Sequence, residues 1–592
     1  MSDTLIARFR ETAARIPDKE AAQYSDGKTT VSVTYGELSE RIDRLAAGLV
    51  RLGLAQGDRV AILSENCLEW AMIDFAAISA GCVTVPIYPT LPASQAAYIL
   101  RDAEARAAFV RGKEQLEKIA AVQDECPDLD FVIAADGETE GSVPFESLEA
   151  EDPEPSAVEE TERRRNELSQ DDTATLIYTS GTTGNPKGVI LTHGNFLANM
   201  RSCLQVLKVE DSDLFLSFLP LSHVFERMAG HFLPLTTGCA VAYSRGLRYL
   251  AGELGTVAPT VMACVPRFYE SLQERILKSV ESSSGLKKAI FGWSIEQGRK
   301  KSARIRGGKP IGFGLKVASG LAHKLVFQKL HERVGGRLRF FISGGAPLAL
   351  STAEFFHAAG ILILEGYGLT ETSPVISVNH EEGYRFGTVG PVIPDIETRI
   401  AEDGEILTRG EHVMQGYFKL PEETASVIDG DGWFHTGDLG EFDADGFLTI
   451  TGRKKNLLKL SNGKYVAPEP IENMLKASQY IAEAVVIGDA QKVAGAVIVP
   501  SFPALEEFAQ REELPTEPIE ELVNHSKTRS LYREEIDKHT GELADFERIR
   551  VFLLMEREFD IEADELTPTL KVKRKEALAP LQEKIDALYA SS

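Results

Sequence analysis

Cysteine is scarce and scattered: the 592 residues hold six, Cys67, Cys82, Cys126, Cys203, Cys239 and Cys264, with no C-x-x-C pair among them. That argues against a zinc ribbon or a disulfide framework and predicts a reducing, cytoplasmic setting. Apolar runs of the ~18 residues needed to cross a bilayer are missing as well, and Met1 to Arg8 contain no apolar signal core. The expectation is a soluble protein, or one peripheral to a membrane. Positive charge is the third shortage. Sixty-four Lys and Arg face 89 Asp and Glu, a formal net of −25. Nucleic acid is thereby disfavoured as a partner, because non-specific affinity for it comes from neutralising phosphates with cations. Internal repeats and low-complexity tracts are absent too.

What is present suits a large folded globular protein. A hydrophobic content of 43% over this length implies at least two cores. Near the start, a strand-like run at 59–63, a helical stretch at 68–80 and a second strand at 83–88 alternate, the pattern of parallel sheets flanked by helices. Further strands are predicted at 173–177, 214–218, 240–243, 261–265, 340–343 and 361–364. The acidic, turn-rich stretch 137–172 reads as a long surface connection. Residues 385–450 change to short strands between Gly and Asp turns, which predicts a small β-barrel or sandwich. Charge is unevenly spread: residues 274–339 carry sixteen Lys and Arg against four Asp and Glu. With Phe291, Trp293, Phe313 and Phe327 among the lysines, this block reads either as a contact for an anionic membrane surface or as a solvated helical insertion.

The chemistry concentrates in a few loops. Tyr178-Thr179-Ser180-Gly181-Thr182-Thr183-Gly184-Asn185-Pro186-Lys187-Gly188 follows the strand at 173–177. Its glycines let backbone N–H groups turn toward an anion, its hydroxyls add donors and Lys187 adds charge. The spacing is not that of a G-x-x-x-x-G-K-[ST] loop. Tyr367-Gly368-Leu369-Thr370-Glu371-Thr372 and Ser343-Gly344-Gly345-Ala346-Pro347 each follow an apolar strand, the carboxyl-end position where open α/β sheets bind ligands. Trp433-Phe434-His435-Thr436-Gly437-Asp438 offers a carboxylate able to accept two donors at once.

These motifs together resemble the adenylate-forming superfamily of acyl-CoA synthetases, luciferases and peptide-synthetase adenylation domains, over nearly the whole chain. Within it, Gly463-Lys464-Tyr465-Val466-Ala467-Pro468 and the basic insertion most resemble the long-chain fatty acid-CoA ligases. The resemblance implies an α/β fold: a large N-terminal domain of two parallel-sheet subdomains plus a small β-barrel, over 1–452, and a smaller, mobile α+β domain over 456–592. A hinge at 453–455 centred on Lys455 would join them. It further implies ATP and coenzyme A as co-substrates, a fatty acid as acyl donor and Mg2+ as cofactor.

Residue by residue, the resemblance assigns phosphate binding to Thr179, Ser180, Gly181, Thr182, Thr183, Gly184 and Lys187. Gly344, Gly345, Ala346, Gly366, Tyr367 and Gly368 would border the adenine, with Thr370 near the α-phosphate. Glu371 and Thr179 would hold Mg2+, and Asp438 and Arg453 the ribose. Lys571, in Leu566-Thr567-Pro568-Thr569-Leu570-Lys571-Val572-Lys573-Arg574, falls at the lysine required for adenylation. Leu570 stands where many relatives have glycine, so Lys573 stays as its competitor. Lys459 and Gly463 would face CoA, and His223, in Leu219-Pro220-Leu221-Ser222-His223-Val224-Phe225-Glu226-Arg227, would border the acyl pocket or serve structure alone. Two other functions remain open at this stage: an acyl-AMP ligase that loads a separate carrier protein, and a non-catalytic nucleotide or acyl sensor at membranes. The short spacing from Lys455 to Pro468 and the intact set Thr179, Lys187, Glu371, Asp438 and Lys571 argue against both. Homodimerisation is compatible with the sequence.

Overall fold

The computed structural model describes residues 3–25, 29–137, 140–149, 152–179, 185–560, 563–567 and 571–590. The chain divides into two compact units: Met1–Thr398 with Thr408–His435 and Ala444–Leu448, and Arg399–Leu407 with Thr436–Asp443 and Thr449–Ser592.

Two eight-stranded sheets organise the first unit. In one, Phe131–Ala135, Ala105–Arg111, Arg59–Leu63, Val83–Ile87 and Thr173–Thr179 run parallel, and Lys187–Thr192 and then Gly416–Tyr417 add antiparallel strands at the edge. In the other, Leu362–Gly368, Phe340–Ser343, Val261–Cys264, Leu214–Ser217, Ala240–Tyr243 and Glu20–Ser25 are parallel neighbours in that order. Strands covered on both faces need no alternation, and all five residues of Val83–Ile87 are buried. The helices divide in the same way. Tyr35–Leu52 is two-faced and opens with a reciprocal Thr34/Glu37 capping box, whereas Leu68–Ser79, apolar around nearly its whole circumference, sits inside the core with Trp70 and Phe75.

Three expectations need correction. The stretch 137–172 is not simply a connection, for it contains a thirteen-residue helix, Pro155–Glu167, with Pro155 in its first turn. That helix lacks an apolar stripe. It is anchored by Arg164, which donates to the Leu54 and Ala80 carbonyls at 2.8 and 3.2 Å, and by Arg165, which reaches Ser79 and Asp43. Hydrophobic periodicity could not reveal it, because arginine forks on backbone carbonyls do the anchoring. The strand predicted at 361–364 spans Leu362–Gly368, so Tyr367 and Gly368, expected to follow the strand, belong to it. Where a small barrel is expected over 385–450, Glu397–Ile400, Glu405–Arg409, Phe434–Phe442 and Leu448–Arg453 pair in that order as a four-stranded sheet.

Residues 266–333 are helical, as Pro266–Glu281, Gly285–Arg306, Phe313–Ala322, a π-turn His323–Phe327 and Gln328–Arg333. The second unit is α+β. Its three-stranded sheet, Ile481–Ile487, Gly495–Pro500 and Val551–Leu554, packs under Pro468–Leu475 and Ser526–Thr540 through Leu475, Val486, Ile498, Tyr532 and Ile536. Among the described residues no helix is long and apolar enough to cross a membrane, and all six cysteines are buried free thiols.

Candidate active site

The anion loop joins two antiparallel strands in the first unit. Thr179 ends the strand Thr173–Thr179 and pairs in register with Lys187, which begins Lys187–Thr192. Ser180, Gly181, Thr182, Thr183 and Gly184 lie outside the described residues. Lys187 already has protein partners at the surface: its ammonium pairs with Glu423 and lies 5.1 Å from the Tyr417 ring centroid.

Glu371 sits in a short 3₁₀ turn, Thr370–Thr372, after the strand Leu362–Gly368. A buried asparagine fixes this turn from outside: Asn199 donates through Nδ2 to the Val375 carbonyl at 2.7 Å, and its Oδ1 accepts the Val375 N–H at 3.2 Å. Thr372 Oγ1 adds a bond to the Pro374 carbonyl at 2.6 Å. The approach is close enough that a Cβ on Gly368 would lie 1.7 Å from that same carbonyl oxygen, so only glycine fits. Tyr417 then ties the turn to the anion loop. Its strand pairs with Val189 and Ile190, and its hydroxyl donates to Glu371 Oε1 at 2.8 Å. Thr179, Lys187 and Glu371 are therefore brought to one place, with Tyr417 and Glu423 as the partners that the motifs did not disclose.

Beside them, Gly344 follows the strand Phe340–Ser343, donating its N–H to the Cys264 carbonyl at 3.2 Å and lying against Phe225, while Gly345 and Ala346 are exposed. Gly366 and Tyr367, both half-buried, continue the adjacent strand and pair with Val378 and Ser377. His223 caps the short helix Val224–Glu226: its Nδ1 accepts the Phe225 N–H at 3.1 Å. That bond gives the ring a structural task.

The next two residues show how this unit handles buried charge. Arg227, fully enclosed, pairs with Asp74 and donates to Thr175 Oγ1 at 2.7 Å. Burial alone would raise the Asp74 carboxyl, yet Arg227 and His231 hold it below the usual aspartate range. Glu226 is equally enclosed without a cation, and burial pushes its carboxyl up to about 8. Glu365, on the strand leading to Tyr367, is also pushed up to about 8 by burial. Both acids are neutral near pH 7; Glu226 falls inside the segment 219–227 that holds His223 but has no role assigned there, and Glu365 lies just before the motif at 367–372.

In the second unit, Asp438 is buried and accepts Arg453 Nε at 2.8 Å, and its own N–H is fixed by Thr436 Oγ1 at 3.1 Å. Lys571 lies near enough to this pair to feel both charges. Desolvation of its ammonium and repulsion by Arg453 lower it from the ordinary lysine value, with Asp438 opposing, although the residue as a whole is exposed. Two hydrogen bonds join Lys571 to Thr567: the Thr567 N–H donates to the Lys571 carbonyl at 2.7 Å, and the Lys571 N–H to Thr567 Oγ1 at 3.0 Å. Lys573 is committed elsewhere, paired with Asp564. Lys455 is exposed in the turn Lys454–Asn456, next to Lys454, which is held by Asp403 and Glu405. Lys459 and Gly463 belong to a small hairpin, Leu458–Lys459 with Tyr465–Val466; Gly463 adopts φ +82° at its turn, and Lys459 lies 5.6 Å from the Tyr465 ring centroid.

Residues 9–418 match the AMP-binding enzyme family, and 455–592 match the AMP-binding enzyme C-terminal domain. The chain belongs to the AMP-binding enzyme family. Among its relatives is the long-chain-fatty-acid--CoA ligase FadD15 of Mycobacterium bovis, 36% identical with 99% of this chain and 97% of that protein covered. The peroxisomal long chain acyl-CoA synthetase 6 of Arabidopsis thaliana is 34% identical over 94% of this chain and 81% of its own. The crystal structure of the anthranilate CoA ligase AuaEII in complex with anthranoyl-AMP superposes with a TM-score of 0.74 at 22% identity, covering 99% of this chain and 98% of that one. That likeness confirms the expected AMP-binding enzyme architecture, a large α/β unit of parallel sheets followed by a smaller C-terminal one.

Proposed function

We propose that the protein activates long-chain fatty acids with ATP and transfers the acyl group to coenzyme A. The observation that carries this reading is the full-length likeness to ligases named for long-chain fatty acids, joined to the nearness of Lys571 to the Asp438/Arg453 pair. In the first step a carboxylate oxygen attacks the α-phosphorus and pyrophosphate leaves, giving acyl-AMP. In the second the CoA thiol loses its proton and attacks the acyl carbonyl, and AMP leaves with the C–O bond electrons.

Bringing carboxylate to phosphate sets anion against anion, so the catalytic need is positive charge and donors aimed at the α-phosphate. Lys571 takes that role, in preference to the Asp564-bound Lys573, and Thr370 is assigned to the α-phosphate as well. The loop 180–184, Thr179 and Lys187 hold the phosphates. Gly344, Gly345, Ala346, Gly366, Tyr367 and Gly368 border the adenine, and Asp438 with Arg453 binds the ribose. Glu371 and Thr179 would hold Mg2+ through the oxygen donors that this hard cation prefers; when bound, it would supply positive charge against the departing pyrophosphate. Lys455 is the hinge between 1–452 and 456–592, and Lys459 and Gly463 line the approach of CoA. His223 borders the acyl chain while it caps its helix. The enzyme works in the cytoplasm, with the basic segment 274–339 against anionic membrane.

The test is mass spectrometry of acyl-AMP and acyl-CoA after mixing protein, ATP, Mg2+, CoA and saturated acids from acetate to arachidate. Acyl-CoA concentrated at long chains is expected. Turnover of acetate or octanoate well above palmitate would remove the long-chain assignment, and acyl-AMP without thioester would make the protein a carrier-loading ligase.

A further inference from the structure

The helices at 285–333 break the usual rule of an apolar inside and a polar outside. At about 100° per residue, Phe313, Val317, Leu321 and Leu325 form one stripe along Phe313–Ala322 and the π-turn that follows. The stripe faces solvent: Phe313 is 83% exposed, Val317 56%, Leu321 49% and Leu325 45%. The inner side of the same segment is occupied by Ser319, Ala322 and Phe327. The neighbouring helix Gly285–Arg306 continues the patch with Leu286, 73% exposed, and an open apolar groove of about 330 Å³ runs between its Ile290 and Trp293 and the Leu321 and Leu325 of the stripe. Soluble surfaces do carry single exposed apolar residues, but a contiguous patch of this kind marks a contact.

Charge identifies the partner. Within 285–333 twelve Lys and Arg stand against Glu296 and Glu332, in a chain whose total is −25. Exposed Lys287 and Lys288 adjoin Leu286, and exposed Lys316 and Lys324 lie along the stripe. Long lysine stems can lie along an apolar surface while the ammonium stays at headgroup level. Apolar side chains bordered by lysines are the composition of an interfacial helix on anionic lipid. A symmetric dimer through this patch would set the same cationic surface against itself, which counts against a second copy as occupant.

We propose that the helical pair 285–325 is a docking surface for an anionic phospholipid bilayer, with Leu286, Phe313, Val317 and Leu321 entering the interface and Lys287, Lys288, Lys316 and Lys324 meeting the headgroups. This rests on the fatty-acid reading only for its purpose, delivery of substrate from the membrane, and its test does not depend on turnover.

Co-sedimentation of the full chain with phosphatidylcholine vesicles, with and without phosphatidylglycerol, reads binding directly. The native protein is expected on the anionic vesicles, less so as salt rises. Phe313→Ser with Val317→Ser should weaken binding at least about tenfold through lost apolar insertion, and each of Lys316→Gln and Lys324→Gln about fivefold through lost headgroup attraction. Acyl-CoA formation from albumin-delivered palmitate should stay unchanged in all of these variants, which also shows that they fold. Absence of native binding to anionic vesicles, or equal binding by the serine variant, would overturn the proposal. So would a concentration-dependent dimer, seen by sedimentation velocity, that the same serine variant dissociates. Vesicle binding without any ligase activity would retain the docking surface and discard the fatty-acid reading.

Discussion

Lys187 in the first unit and Lys571 in the second are both assigned to phosphate, yet the protein treats them in opposite ways. Lys187 is neutralised in advance, paired with Glu423 and set against the Tyr417 ring. Lys571 stands near another cation, Arg453; desolvation and that guanidinium disfavour its charge, and Asp438 opposes them. An exposed ion pair is worth ~0–1 kcal/mol, so Lys187 exchanges Glu423 for a phosphate at little cost. A desolvated ammonium next to a guanidinium gains far more from an arriving anion, which is the property needed where charge develops in the reaction. On the proposed roles, the difference separates a residue that would hold substrate from one that would lower the barrier.

Lys571→Ala puts the greatest strain on that distinction. Acyl-AMP formation should fall by roughly 10²–10³-fold, while thioester formation from supplied acyl-AMP persists; loss of both steps alike would mean that the role is wrong or the variant misfolds. Tyr417→Phe comes next. Removing a hydrogen bond to a charged group costs ~1.5–3 kcal/mol, so the KM for Mg·ATP should rise by about tenfold or somewhat more, with a smaller change in kcat. A fall in kcat at constant KM would show that Tyr417 does not position Glu371. Glu423→Gln should act in the opposite direction, lowering the KM for ATP by about two- to fivefold as Lys187 loses its competing acid. If ATP binding weakens instead, Glu423 is a contact that persists in the complex rather than a placeholder.

The smallest effect is in the pH profile. Because desolvation and Arg453 lower the Lys571 pKa, its proton is lost at lower pH than an ordinary lysine's, and the alkaline limb of acyl-AMP formation should begin below 10.5. Lys571→Arg keeps the charge throughout the accessible range and should flatten that limb in whatever activity remains. An unchanged limb would assign the titration to another group.

Several parts of this molecule were legible because their signals are local. The strands at 59–63, 240–243 and 340–343 are continuous apolar runs, and the structure forms each over those residues. The segment bearing Glu371 and the loop between Thr179 and Lys187 were marked by short motifs, whereas the strand Lys187–Thr192 that pairs back on Thr173–Thr179 was not. Other features had no local trace. Tyr417 meets Glu371 across 46 residues, Glu423 meets Lys187 across 236, and Asn199 reaches Val375 across 176. The helix Pro155–Glu167 escaped detection because its anchors are arginines.

The sequence by itself determined the alternation of strands and helices, the anion loop, the family and the surplus of cations at 274–339, since composition and short-range spacing are properties of neighbours along the chain. Tertiary structure decided how each charge is handled. Adjacent Glu226 and Arg227 are equally buried, yet one stays neutral and the other ionised because Asp74 is present only for Arg227. It also decided that Phe313, Val317, Leu321 and Leu325 face outward, because burial and pairing depend on which distant segments fold against a residue, and no window of sequence contains them.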